Sequence, residues 1–205
     1  MKILKYIFIV IVVIIAAFYA IGLVFPEVEY GAEIVVNKPI EEAWEVSQDE
    51  SKYPLWLEGF QSMDLIEGEY GQVGSKYKIV VLPGEGQPEF EMIETVVSKE
   101  DNDHVTMDFD SEMMEFKQTI RFSEQEDGVH IKTESLVIGK GLSSKAMFAI
   151  MEMTGGAFTA QEAKNMNNLK TVIEENTTDY SPEPEPVVVD SLEVAVEEVI
   201  EEVVE

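Results

Sequence analysis

The sequence predicts an α+β domain, an antiparallel run of strands set against a long C-terminal helix, preceded by one transmembrane helix. Three observations predict it. Residues 7 to 25 (IFIVIVVIIAAFYAIGLVF) are nineteen uncharged residues, and at ~1.5 Å of rise per residue a helix of them covers about the 30 Å hydrocarbon core of a bilayer. From about residue 74 to 139, apolar residues recur at every second position in stretches bounded by turn signals, the period of strands. From Leu142 to about Glu175 the spacing lengthens to three and four, the period of a helix with one apolar stripe.

The apolar span is expected to be a retained anchor. A cleaved signal peptide has an apolar run of roughly 7–15 residues and a small-x-small exit. Here Gly22, Leu23, Val24 and Phe25 carry the apolar stretch past Ala16, Ala17 and Ala20. Lys2 and Lys5 precede the span and Glu27 and Glu29 follow it, a bias that places the short N-terminus in the cytoplasm and everything after Pro26 outside it. The sequence contains no Cys, which excludes disulfides, thiolate metal sites, cysteine catalysis and a cysteine-linked lipid anchor.

The expected organisation is an anchor over residues 1–26, one domain over 27–180 and an acidic tail over 181–205. About 155 residues between anchor and tail suit one domain with a substantial core. Of the net charge of −27, residues 26 to 180 hold 12 basic and 32 acidic side chains, and the tail has acids alone. Nucleic acid is therefore not an expected partner, because phosphate binding needs clustered Lys and Arg. Anionic headgroups would be repelled, so contact with a membrane has to come through residues 7–25.

In chain order, Val28 to Val36 forms a first strand. Asn37-Lys38-Pro39 starts a short helix on which Ile40, Ala43, Trp44 and Ser47 share a face. Asp49 to Pro54 interrupts it before Leu55, Trp56 and Leu57. Turn signals at 68–74, 83–88, 99–103, 111–112 and 125–128 then separate strands expected at about 74–82, 88–98, 104–110, 113–123 and 129–139. Short connections make neighbours antiparallel. In the long helix that follows, Gly155-Gly156 implies a bend or a close approach to the sheet.

This order, together with Pro39-Ile40-Glu41-Glu42-Ala43-Trp44, Asp49 with Tyr53-Pro54-Leu55-Trp56, and Val73-Gly74-Ser75-Lys76-Tyr77, resembles the helix-grip fold of the polyketide cyclase and START-type lipid-transfer superfamily (SRPBCC) from about Val28 to Asn176. The resemblance implies a curved sheet wrapped around the long helix, with a hydrophobic pocket between them. Its members range from lipid carriers to aromatase-cyclases to proteins with no assigned ligand, and no catalytic residue of theirs matches a position here.

Alternation selects the side chains that face such a pocket. They are Tyr77, Ile79 and Val81; Phe90, Met92, Glu94 and Val96; Val105, Met107 and Phe109; Met114, Phe116, Gln118, Ile120 and Phe122; and Val129, Ile131, Thr133, Ser135 and Val137. Met147, Met151 and Phe158 join them from the helix. Polar Glu94, Gln118, Thr133 and Ser135 interrupt this face, and a buried polar group left unpaired costs about 1–3 kcal/mol. A hairpin setting Phe109 near Met114, Val105 near Gln118 and Met107 near Phe116 brings Gln118 beside Thr133 or Ser135. A mostly apolar pocket with convergent polar groups is the pattern of a small-molecule site. The expected ligand-binding set is thus Tyr77, Phe90, Met92, Glu94, Met107, Phe109, Phe116, Gln118, Ile120, Thr133, Ser135, Met147, Met151 and Phe158. Trp44 and Trp56 are expected to anchor the core of the small helices.

The expected function is a membrane-anchored binding or transfer domain for a hydrophobic or amphipathic small molecule or lipid. The alternatives are a cyclase-like enzyme and a non-catalytic interaction module. No cofactor and no metal is called for. His104 and His130, the two histidines, should not meet, and the Asp101 to His104 run has the composition of a solvated turn. Gly84-Glu85-Gly86 lacks the Lys-Ser/Thr continuation of a phosphate loop. Glu94 is the one candidate catalytic residue, because a carboxyl in an apolar cavity has a raised pKa. In the tail, Pro-Glu alternation from Ser181 to Pro186 precedes an apolar repeat at Leu192, Val196, Val199, Ile200 and Val203, an expected disordered segment or docking peptide for a protein partner.

Overall fold

The computed structural model describes residues 2–82, 86 and 88–180. The tail, 181–205, and most of the loop at Gly84-Glu85-Gly86 lie outside the described residues. The apolar span forms helix α1 (Lys2–Val24), long and apolar enough to cross a membrane, with its side chains almost wholly exposed. Only Gly22 is buried in it, where an added Cβ would stand 2.7 Å from the Leu142 carbonyl oxygen and 2.8 Å from the Ala146 nitrogen. The missing side chain lets the end of α1 rest against the helix that begins at Leu142.

Among the described residues, eight antiparallel strands form one sheet: β1 (Glu27–Tyr30), β2 (Glu33–Val36), β3 (Phe60–Glu67), β4 (Lys76–Val81), β5 (Phe90–Glu100), β6 (His104–Asp110), β7 (Met114–Gln125) and β8 (Gly128–Gly139). Their order is β1-β8-β7-β6-β5-β4-β3, with β2 also pairing β8. The single first strand expected over 28–36 is thus two strands. Gly31 separates them because β8 passes so close that a Cβ there would meet the Thr133 carbonyl oxygen at 2.2 Å. Strand β3 has no counterpart among the expected strands. Register shifts between Phe60 and Ser62 and between Leu65 and Glu67 break its alternation, so its period of two is lost from the sequence.

The β6–β7 hairpin corrects a second expectation. Phe109 lies opposite Phe116, Met107 opposite Gln118 and Val105 opposite Ile120, a register two residues from the one expected. A shift of two leaves every side chain on its face: of the inward set, Tyr77, Ile79, Glu94, Val96, Val105, Ile120, Phe122, Val129, Ile131, Thr133, Ser135 and Val137 are buried, and Val81, Phe90, Met92, Met107, Phe109, Met114, Phe116 and Gln118 are half-buried.

Between β2 and β3 lie α2 (Ile40–Gln48), a 3₁₀ turn (Glu50–Lys52) and α3 (Tyr53–Trp56). The expected long C-terminal helix is two helices, α4 (Leu142–Gly155) and α5 (Ala157–Glu174). Gly156 ends α4 in the left-handed conformation (φ 57°, ψ 42°), which glycine adopts without a Cβ penalty. No close approach to the sheet explains the glycine pair, since a Cβ on Gly155 would meet nothing within 4 Å. Past the corner, the Glu152 carboxylate accepts the Phe158 backbone N–H at 2.9 Å and the Thr159 hydroxyl, supplying the start of α5 with an acceptor.

The corner divides the interior. Met166, Leu169 and Ile173 of α5 pack with Val36, Trp44, Phe122 and Ile131 in the main core, where Trp44 meets Phe122 edge-on at 5.2 Å. Phe148 of α4 packs with Val28 and Val137 in a second cluster.

Candidate functional site

Between the sheet and the short helices, the main core leaves a cavity of about 240 Å³. Its floor is the inward face of β4–β7: Tyr77, Ile79 and Val81, then Met92, Glu94 and Val96, then Val105, Met107 and Phe109, then Gln118 and Ile120. The opposite wall comes from Ser47, Gln48, Glu50, Tyr53, Trp56 and Leu57, with Phe60 and Met63 of β3 beside them and Asn165 of α5. Tyr53 stands at right angles to Trp56 at 5.8 Å and nearly so to Phe60 at 5.7 Å, the edge-to-face geometry that ring quadrupoles favour.

The wall is tied down by polar contacts. Glu58 takes Lys164 and Gln161 (2.9 Å) on its carboxylate, while its backbone N–H donates to Asn165 Oδ1 at 3.1 Å. These contacts hold the α3–β3 connection against α5.

Glu94 is the chemically distinctive residue. It is 6% exposed, lies opposite Tyr77 on one side and Phe109 on the other, and lines the cavity. Among the described residues its carboxyl makes no hydrogen bond or ion pair. Burial, with a smaller push from the Glu50 carboxylate, raises its pKa to about 7. Burial also raises Tyr53 and Tyr77, each facing Glu94 and Glu50. The cavity cation is Lys99, whose ammonium sits 5.6 Å from the Trp44 ring and 4.0 Å from Asp101.

A second polar group lies beyond Gln118. Its Nε2 donates to Ser135 Oγ and to Glu162 Oε1, both at 3.1 Å. Burial raises the Glu162 pKa against the lowering effect of hydrogen bonds from Thr133 and Gln118. Gln118 and Ser135 therefore converge as the alternation implied, with Glu162 as the partner it missed. A signal existed: Glu162 stands between Phe158 and Met166 on the apolar stripe of α5, where an acid is out of place.

Half of the expected ligand-binding residues line the cavity: Tyr77, Met92, Glu94, Met107, Phe109, Gln118 and Ile120. The other seven lie elsewhere. Phe90 sits opposite Val81 at the start of β5. Phe116, Met147 and Phe158 pack around the second cluster, where Phe116 stacks on Phe109 at 4.8 Å. Met151 is 42% exposed. The break at Gly156 is the reason, since it carries α4 away from the cavity and over β1 and β8. Thr133 accepts the Ala32 N–H at 3.0 Å, and Ser135 is held by Gln118. Conversely, Glu50, Tyr53, Trp56, Phe60 and Met63 border the cavity without belonging to the expected ligand-binding set, and Trp56, expected as a core anchor, presents a ring to it.

The histidines stay apart, His104 between Asp103 and Ser98, His130 between Glu33 and Asp127. Glu100, Asp103 and His104 bring ligand-type atoms within 4.8 Å on the exposed β5–β6 turn, but both imidazole nitrogens are already engaged.

A sequence profile described as polyketide cyclase / dehydrase and lipid transport matches residues 27–174. No curated protein sequence matches the chain. A solved protein from Rhizobium leguminosarum superposes with a TM-score of 0.57 at 12% identity, over 73% of this chain and 96% of that one. A Staphylococcus aureus protein of unknown function gives 0.57 at 16% identity, over 72% and 94%. The di-domain ARO/CYC BexL from the BE-7585A biosynthetic pathway gives 0.55 at 12% identity, over 74% of this chain and 51% of that one. These likenesses are of fold.

Proposed function

Because the chain belongs to the polyketide cyclase/dehydrase and lipid transport family of SRPBCC folds, we propose that it is a membrane-anchored carrier that holds a hydrophobic or amphipathic small molecule in the cavity above β4–β7. The observation that carries this reading is the cavity itself, lined mostly by apolar side chains, with a buried Glu94 carboxyl that has no partner among the described residues. Apolar surface removed from water contributes about 25 cal/mol per Å², and a few polar groups orient what is bound. At about 240 Å³ the cavity suits a compact molecule or part of a lipid chain rather than a whole diacyl lipid. In this reading residues 1–26 are the anchor, residues 27–180 the binding domain and the acidic tail a site for a protein partner.

Native mass spectrometry of the full chain in nanodiscs tests it. A bound small molecule, co-purified or taken up from a panel of apolar compounds, is expected, and Met92→Trp, which fills the cavity, is expected to abolish it. Failure of every compound to bind would instead favour a structural module. An enzymatic reading has one observation in its favour, a Glu94 carboxyl that exchanges its proton near pH 7. Were Glu94 the acid or base, Glu94→Gln would reduce turnover by roughly 10²–10⁴-fold with little change in binding.

A further inference from the structure

The charges and rings of the cavity narrow the ligand class, on the reading of the cavity as a binding site. Glu94 is nine-tenths buried, and among the described residues no donor or cation meets its carboxyl. A buried polar group is ordinarily satisfied; the Glu94 oxygens border open space, and on the facing wall Trp56 Nε1 is, among the described residues, the buried side-chain polar atom without a partner. Glu50, on the same wall, also has no cationic partner among the described residues, and it raises the Glu94 pKa through like charge. The remaining charged groups do not offset the pair. Glu58 is bound to Lys164, Glu162 lies behind Gln118, and the Lys99 ammonium is turned toward Trp44 and Asp101. Around the two acids stand the rings of Tyr53, Trp56, Phe60 and Tyr77, whose π faces attract cations.

An anionic head would meet two carboxylates here, and a neutral head would leave the cavity's negative potential unanswered. A cation satisfies both the acids and the rings. We propose that the cavity takes a compact amphiphilic amine, its ammonium against the Glu94 carboxyl and its apolar body among the aromatic side chains. The ammonium supplies the hydrogen-bond donor that Glu94 lacks, and Glu50 adds longer-range attraction.

Three probes that share a naphthalene body and differ in head group test this: 1-naphthylmethylamine, 1-naphthalenemethanol and 1-naphthoate. Each is titrated calorimetrically into the full chain in phosphatidylcholine nanodiscs near pH 8, against empty nanodiscs. The amine is expected to bind about tenfold or more tighter than the alcohol, with naphthoate weakest, as a hydrogen bond to a charged group warrants. Glu94→Gln should remove that advantage, while Glu50→Gln should reduce it by a smaller factor; near-UV circular dichroism checks that both variants fold. Lowering the pH toward 5.5 should shrink the advantage as Glu94 protonates, since the probe's amine stays charged. Equal binding of amine and alcohol, tighter binding of naphthoate, or an amine advantage that survives Glu94→Gln, as attraction to the acidic surface alone would give, overturns the amine assignment. If no probe binds, the cavity reading falls with it.

Discussion

Glu94 sets the residue scale, because its burial has a thermodynamic consequence whatever the cavity holds. Its folded pKa of about 7 lies above the ordinary carboxyl value of 4.5. Between those values the folded chain binds more protons than the unfolded one, so the contribution of this residue to stability falls as pH rises from about 4.5 to 7 and is level above. Glu94→Gln removes the buried charge and keeps the shape. At pH 8 it is expected to stabilise the protein by up to roughly 3 kcal/mol, the size of the pKa difference, with the gain vanishing near pH 4. Chemical denaturation at the two pH values measures it; an equal effect at both would mean that Glu94 is ionised and solvated. The inward placement of Glu94 is legible in the sequence, since Phe90, Met92, Glu94 and Val96 share one parity. Its lack of a partner among the described residues is not, because the groups that fail to meet it come from α3 and the turn before it.

At the scale of elements, the corner between α4 and α5 decides which helix covers the cavity. Two adjacent glycines behave differently there. Gly156 has φ 57°, a conformation that costs an L-residue about 1–2 kcal/mol, whereas Gly155 ends α4 with open space where a Cβ would be. Gly156→Ala is therefore expected to destabilise by about 1–2 kcal/mol, and Gly155→Ala to be neutral or stabilising by up to about 1 kcal/mol. Thermal unfolding of the two variants compares them, and a larger loss from Gly155→Ala would refute this account of the corner. The glycine pair is visible in the sequence as an interruption. Helical spacing continues across it, however, so periodicity alone reports one helix where backbone geometry makes two.

For the whole molecule, the apolar α1 and a strongly acidic domain are joined by the short segment after Val24. The lysines in the first turn of α1 and the glutamates after it predict a cytoplasmic N-terminus and a domain on the opposite side of the membrane. Protease added to spheroplasts is expected to digest the domain while the membrane remains sealed, and full protection would reverse the topology. On that topology, the close seat of Gly22 on α4 would keep the second cluster near the membrane surface, with α5 and the cavity beyond the corner. With 32 acids against 12 basic groups over residues 26 to 180, this arrangement depends on the span rather than on attraction to anionic lipid.

Local periodicities are written in the order of the residues: an apolar span, the inward parity of β4 to β8, and the apolar stripe of the C-terminal helices. Each repeats within a few residues, so hydrophobic burial imprints it directly on the order of side chains. Tertiary structure alone decided that seven of the fourteen expected residues border a cavity while Phe116, Met147 and Phe158 gather in a separate cluster. It also brought Glu50, Tyr53 and Trp56 over the sheet and set the bulged β3 beside β4. The physical reason is that a cavity is space left between elements distant in the chain, fixed by their packing angles, and no residue carries a local record of what will fail to reach it.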